Sequence, residues 1–180
     1  FPTDANHYNS VMSTHRVVIV RHAKAVSYSP GTDAKRPLAD SGRAQAQELG
    51  RKLSAVIKAA DTVFVSPALR AQETWQNMAK GAGLTEETMP EVITDEVIYS
   101  GSSMQMMEAV RMGSNGITSI LVGHEPTVSS LAVLLTKDGQ ASEVEVGMPT
   151  GSAAIVEWER DWKEWHSHCA ILADFVHVRH

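Results

Sequence analysis

The chain has 180 residues, 43% hydrophobic and 21% charged, with a formal net charge of -5. That length suits one domain with its own core, and the acidic balance argues against general nucleic-acid binding, which needs a basic surface. No apolar run approaches the roughly 20 residues that a membrane-spanning helix requires, so no membrane partner is expected.

The single cysteine, Cys169, excludes an internal disulfide and suits a reducing, cytoplasmic setting. Residues 1–15 read as an extension or expression remnant, with Met12 a candidate natural start. The first ten residues are polar and lack the apolar stretch of a signal peptide. Residues 16–180 read as a single domain.

The first element is a strand over residues 16–20, where Val17, Val18, Ile19 and Val20 form a β-branched run suited to burial on both faces. It stops at Arg21-His22. In an open α/β sheet, ligands bind just beyond the carboxyl ends of strands. A guanidinium there can hold a phosphate or carboxylate, and a neutral imidazole can serve as nucleophile, base or ligand. The second copy, Val178-Arg179-His180, reads as a tail.

Residues 25–40 contain Pro30, Gly31 and Pro37 and read as a loop carrying Lys35 and Arg36. Asp40 or Ser41 is expected to cap a helix running to about residue 60, with Leu49, Leu53, Val56 and Ala60 as its apolar stripe. Residues 62–65 form a second buried strand. Ser66-Pro67 then reads as the N-cap and first residue of a helix. This puts Arg70 in the first turn, where free backbone N–H groups add positive potential. Ala71, Trp75 and Met78 share one face of that helix, which ends near Gly81 and Gly83.

A short strand is expected near Val92-Ile93, followed by a loop with Asp95, Glu96 and Tyr99. Ser102 or Ser103 opens the next helix, and Met104, Met107 and Met112 are expected in the core. Residues 117–122 form a third long buried strand ending in Gly123-His124-Glu125-Pro126. Thr127 opens a helix that buries Val128, Leu131 and Leu135. Residues 139–146 read as a loop and 152–158 as a further strand. Residues 161–180 close the chain with Trp162, Trp165, Leu172 and Phe175 as packing residues. His166, His168 and Cys169 lack the partners that a zinc site needs at metal spacing. The alternation of elements predicts an α/β three-layer sandwich: a mostly parallel central sheet with helices on both faces.

If the strands are parallel, Arg21, His22, Arg70 and His124 all lie along one edge. Two arginines and two histidines make a pocket for a phosphoryl dianion, because guanidinium groups bind its oxygens bidentately and stabilise charge during transfer. One histidine could attack phosphorus while the other holds a non-bridging oxygen.

Three motifs carry a family resemblance: Val-Arg-His-Ala at 20–23, Ser-Pro-Ala-Leu-Arg-Ala-Gln-Glu-Thr at 66–74, and Val-Gly-His-Glu-Pro at 122–126. Arg36-Pro37-Leu38, followed by Gly42 and Gln45, adds a matching loop-to-helix junction. The chain resembles the histidine phosphatase superfamily, with its phosphoglycerate-mutase-like fold. The small size, Lys35-Arg36-Pro37-Leu38 and Met-Pro-Thr-Gly-Ser at 148–152 are most similar to its SixA-type phosphohistidine phosphatases.

The resemblance implies that His22 is the phosphorylated nucleophile and that Arg21, Arg70 and His124 bind the phosphoryl group, with no metal or cofactor. Arg36 is a candidate substrate contact. Ala23 stands where the wider family has glycine. Many members use an acid to protonate the leaving oxygen, and Glu96 is the candidate here, with Asp95 beside it and Glu125 behind both. An imidazole leaving from phosphohistidine is far less basic than an alkoxide, its conjugate acid titrating near ~6.5, so a dedicated acid is dispensable for such a substrate. The expected partner is a phosphorylated signalling protein. The alternatives are a small phosphorylated substrate, cleaved by a phosphomonoesterase, and a non-catalytic phosphoryl-binding module.

Overall fold

The computed structural model of the chain describes residues 14–179. The extension expected over 1–15 therefore falls, but for Thr14 and His15, outside the described residues, as do Met12 and His180. The elements run in chain order as β1 (His15–Arg21), a 3₁₀ turn (Asp33–Lys35), α1 (Asp40–Lys52), α2 (Ser54–Lys58), β2 (Thr62–Val65), α3 (Leu69–Ala82), β3 (Glu91–Thr94), α4 (Val97–Ser100), α5 (Ser103–Gly113), β4 (Thr118–Gly123), α6 (Thr127–Leu135), α7 (Ser142–Glu145), β5 (Ser152–Trp158), a second 3₁₀ turn (Trp162–Glu164) and β6 (Ile171–His177).

The six strands form one sheet in the order β3-β2-β4-β1-β5-β6. The first four neighbours are parallel, while β5 runs antiparallel to β1 and β6 antiparallel to β5. Every residue of β2 and β4 is buried, as expected of central parallel strands covered on both faces. Side chains alternate between two cores. Val18, Val20, Val63, Val65, Ile120 and Val122 pack with Leu49, Ile57 and Met78 of the α1–α3 layer. Val17, Ile19, Phe64 and Leu121 pack on the other side with Met106, Val110, Leu131 and Leu135 of α5 and α6. The result is the predicted three-layer α/β sandwich.

Local departures from the expected elements have identifiable causes. The helix expected to reach residue 60 breaks at Leu53, whose ψ of 16° is not helical. The break re-aims the second segment so that Ile57 is fully buried and Val56 only partly so. The third helix begins at Leu69, with Ala68 as its N-cap, two residues later than Ser66-Pro67 predicts. The Ser66 hydroxyl is drawn instead into a turn and a contact with His124. Met104 and Met112 are 60% and 75% exposed rather than in the core. A capping box between Ser102 and Gln105 opens α5, and Met106 and Val110, four residues apart, take the core positions instead.

The chain end also differs from the sequence reading. Residues 139–146 contain the single turn α7, which buries Val144. The segment after residue 161 contributes strand β6. Val178 is no tail residue: it is buried, its N–H donates to the Gly151 carbonyl and its carbonyl accepts from Gln45 Nε2. Trp162 and Trp165 are buried in the core, with Leu172 and Phe175 packed against it, as expected.

Candidate active site

The parallel strands end flush. Arg21 pairs with Gly123 across β1 and β4, and the His22 N–H donates to the Gly123 carbonyl at 3.0 Å. Val65 pairs with Val122 across β2 and β4, and the Ser66 N–H donates to the Val122 carbonyl at 3.2 Å. This register brings residues distant in sequence to one rim. The His22 and His124 rings lie 5.2 Å apart.

The His22 ring is buried, with Nδ1 2.8 Å from the Ala23 carbonyl. A carbonyl only accepts, so Nδ1 carries the hydrogen and Nε2 keeps its lone pair. Burial lowers the His22 pKa to about 4, against the pull of the Ala23 bond and with help from the charges of Arg70, Arg21 and Arg36. The ring is therefore neutral at physiological pH, with its Nε2 lone pair available.

The backbone beside it is fixed on three sides. The Ala23 N–H donates to Thr74 Oγ1 at 3.0 Å, and that hydroxyl donates to the Arg70 carbonyl at 2.7 Å. The Lys24 N–H donates to Gln45 Oε1 at 2.9 Å. Gly42 packs directly on Lys24, where an added methyl would lie 1.9 Å from the Lys24 carbonyl oxygen. Ala23 itself needs no glycine freedom: among the described residues, His168 alone is a non-glycine residue at positive φ.

Three buried polar atoms at this rim find no partner among the described residues: Arg21 Nε, Arg70 Nε and His124 Nδ1. Buried donors in folded proteins are normally satisfied, so these three call for a partner from outside the chain, a water or a ligand; Arg16 Nε, Thr118 Oγ1 and Trp165 Nε1 are likewise unpartnered. Arg21 is steadied by its Nη1 donating to the Met148 carbonyl at 2.8 Å. His124 Nε2 lies 2.8 Å from Ser66 Oγ. Burial first, then the charge His22 gains in acid and the charge of Arg70, lower the His124 pKa to about 3, leaving this ring neutral as well near neutral pH.

Arg70 is only 6% exposed and meets Asp33, which the sequence reading did not single out. Asp33 comes from the 3₁₀ turn in the loop after β1. Its carboxylate accepts from Tyr99 Oη at 2.8 Å, Arg70 Nη2 at 2.9 Å and Arg36 Nε at 3.1 Å. The Tyr99 bond first, then Arg70 and Arg36, hold its carboxyl far below the usual range, and Asp33 in turn raises the Tyr99 phenol. Arg36 also donates from Nη1 to the Val26 carbonyl at 2.7 Å. It thus stands at the rim beside Asp33.

The acid candidates fare differently. Glu96 precedes α4 and is exposed, and its carboxylate has no hydrogen bond or ion pair among the described residues. Asp95 accepts from the Val97 N–H. Glu125 is fully engaged, accepting from Ser129 N, Ser129 Oγ and Met148 N at 3.0, 2.9 and 3.2 Å. That staple ties the His124 turn to α6 and to the Met148 segment.

Ser66 and Thr74 lie within the 66–74 motif and Gln45 within the loop-to-helix junction, so their presence was legible although their contacts were not. Asp33 and Tyr99 carry no local signal.

Residues 17–95 match the family described as the histidine phosphatase superfamily, branch 1. Uncharacterized protein MT1313 of Mycobacterium tuberculosis (strain CDC 1551 / Oshkosh) is 30% identical over 161 residues, covering 87% of this chain and 98% of that protein. The chain belongs to the histidine phosphatase superfamily. Among solved structures of that fold, a putative phosphohistidine phosphatase SixA from Nakamurella multipartitia superposes with a TM-score of 0.79 at 23% identity, covering 92% of this chain and 96% of that one. The mycobacterial glucosyl-3-phosphoglycerate phosphatase Rv2419c superposes with a TM-score of 0.58 at 18% identity, covering 89% and 98%. At these identities the likeness is one of fold, here the phosphoglycerate-mutase-like arrangement.

Proposed function

We propose that this protein is a phosphatase that works through a phosphohistidine intermediate on His22, with phosphohistidine of a signalling protein as its substrate. The observation that carries the reading is the convergence of unpartnered Arg21 Nε, Arg70 Nε and His124 Nδ1 on the rim where His22 keeps a free Nε2 lone pair.

In the first step, His22 Nε2 attacks phosphorus and the bond to the leaving group breaks, with its electron pair departing on the leaving nitrogen. Arg21, Arg70 and His124 hold the non-bridging oxygens and stabilise their charge. In the second step, water attacks the phosphorus of phosphorylated His22. The Nε2–P bond breaks, the imidazole recovers its lone pair and phosphate leaves with the oxygen of water. The two guanidinium groups supply the positive charge this chemistry needs, so the reading calls on no metal or cofactor.

The state of the acids supports this substrate class. Asp33 is tied up by two arginines and a tyrosine, Glu125 by Ser129 and Met148, and Glu96 is exposed, with no partner among the described residues to hold it toward His22. A site without a poised carboxylic acid suits a weakly basic leaving group such as imidazole over an alkoxide. Turnover of a phosphohistidine peptide, a phosphoserine peptide and a sugar phosphate under one condition tests this. Preference for the phosphohistidine peptide supports the assignment. Preference for the sugar phosphate transfers it to small phosphomonoesters, and phosphate binding without turnover of any of the three makes the protein a binding module.

A further inference from the structure

We propose that Ser66 is a positioning residue that sets the tautomer of His124, holding its hydrogen on Nδ1 where it can be donated to a phosphoryl oxygen. The tautomer assignment stands on hydrogen-bond geometry alone. Its catalytic consequence rests on the phosphatase reading above.

Ser66 is fully buried at the end of β2, and His124 follows the end of the neighbouring β4. The Ser66 backbone is pinned by its own N–H on the Val122 carbonyl. Its hydroxyl oxygen accepts from the Ala68 N–H at 3.1 Å and lies 2.8 Å from His124 Nε2. A hydroxyl has one hydrogen to give and two lone pairs. The Ala68 N–H takes one lone pair, and the hydrogen needs an acceptor.

The only acceptor among the hydrogen bonds formed at Ser66 Oγ is His124 Nε2. If Nε2 carried the hydrogen instead, the Ser66 O–H would be a buried donor with no acceptor, which is costly. His124 Nδ1 would then turn a lone pair toward an incoming anion. With Ser66 donating, both costs vanish together. Nε2 is an acceptor, and the hydrogen sits on Nδ1, the buried atom that has no partner among the described residues. Neutral histidine in water favours the Nε2–H form, so the tautomer at this rim must be imposed. A hydrogen bond to one ring nitrogen is the usual way of imposing it.

The test begins with the unaltered protein. In ring-¹⁵N-labelled protein near neutral pH, NMR should show His124 with Nδ1 protonated and Nε2 unprotonated. In Ser66→Ala the ring should revert to Nε2–H. Turnover of a phosphohistidine peptide should fall on the order of a hundredfold in kcat, the scale of losing one oriented donor, with KM little changed. Ser66→Thr, which keeps the hydroxyl, should restore both the Nδ1–H signature and the rate. An Nε2–H ring in the unaltered protein overturns the proposal, as does an Nδ1–H signature that survives in Ser66→Ala. If no phosphorylated substrate is turned over, the phosphatase reading falls while the NMR measurement still decides the role of Ser66.

Discussion

Asp33 meets Arg70 twice: its backbone carbonyl accepts from Nη1 and its carboxylate from Nη2, both at 2.9 Å. The buried guanidinium that faces the rim thus already carries an internal anion. A phosphoryl group arriving at Arg70 has to compete with that carboxylate or share the fork with it.

Replacing the charge should show the competition. Asp33→Asn is expected to tighten binding of inorganic phosphate about tenfold, because the charge-assisted bond on Nη2 is replaced by a weaker neutral one. Isothermal titration calorimetry at fixed ionic strength measures this. Weaker binding in the variant would mean that Asp33 chiefly holds Arg70 in position.

His22→Ala separates chemistry from binding. Removing the attacking nitrogen should lower turnover by about a thousandfold or more, while Arg21, Arg70 and His124 continue to bind phosphate. Phosphate titration of the variant and ³²P transfer to the unaltered protein check the two halves. Retained turnover would remove His22 from the mechanism.

The buried His22 ring and the half-buried His124 ring predict an acid-side loss of stability. In the folded protein His22 stays neutral down to about pH 4 and His124 down to about pH 3, whereas in the unfolded chain each takes up a proton below about 6.5. Between those limits the unfolded chain binds more protons, so stability rises with pH and is lost as pH falls from about 6.5. The slope is up to about 1.4 kcal/mol per pH unit for each ring. Above that window neither ring contributes a slope. Urea denaturation from pH 4.5 to 7.5 should show the rise and the plateau, and His124→Asn should flatten the rise. A level profile in the unaltered protein would contradict the burial argument.

Gly42→Ala tests how the His22 segment is seated. The new methyl would fall 1.9 Å from the Lys24 carbonyl oxygen, so either α1 or the segment beside His22 must shift. Overpacking of this kind costs about 1–3 kcal/mol. Thermal unfolding should register that loss, with a drop in kcat beyond what the unfolded fraction explains. An active variant of full stability would show that the Lys24 segment is free to move.

The contrast between Arg21-His22 and Asp33 shows what was legible beforehand. The buried runs of β1, β2 and β4 could be read directly, because a central strand writes its burial into consecutive residues. With them came the placement of Arg21, His22, Arg70 and His124 just past strand ends. Strand β6 was missed: it is an edge strand whose residues are mostly exposed or half-buried, and a register shift at Ile155 and Val156 breaks its pairing period. Met104, 60% exposed, was misread because three methionines at near-helical spacing mimic a buried stripe, whereas the packing of Met106 and Val110 in the core decides which side faces inward.

By itself, then, the sequence determined the central strands, the sandwich and the placement of four charged or titratable groups just past strand ends, since each is encoded within a few neighbouring residues. Tertiary structure alone decided that Asp33 sits on Arg70, that Tyr99 holds Asp33 and that Ser66 faces His124. Those partners are 37, 66 and 58 residues apart, and contacts over such distances exist only once strand register and loop closure have put their ends together.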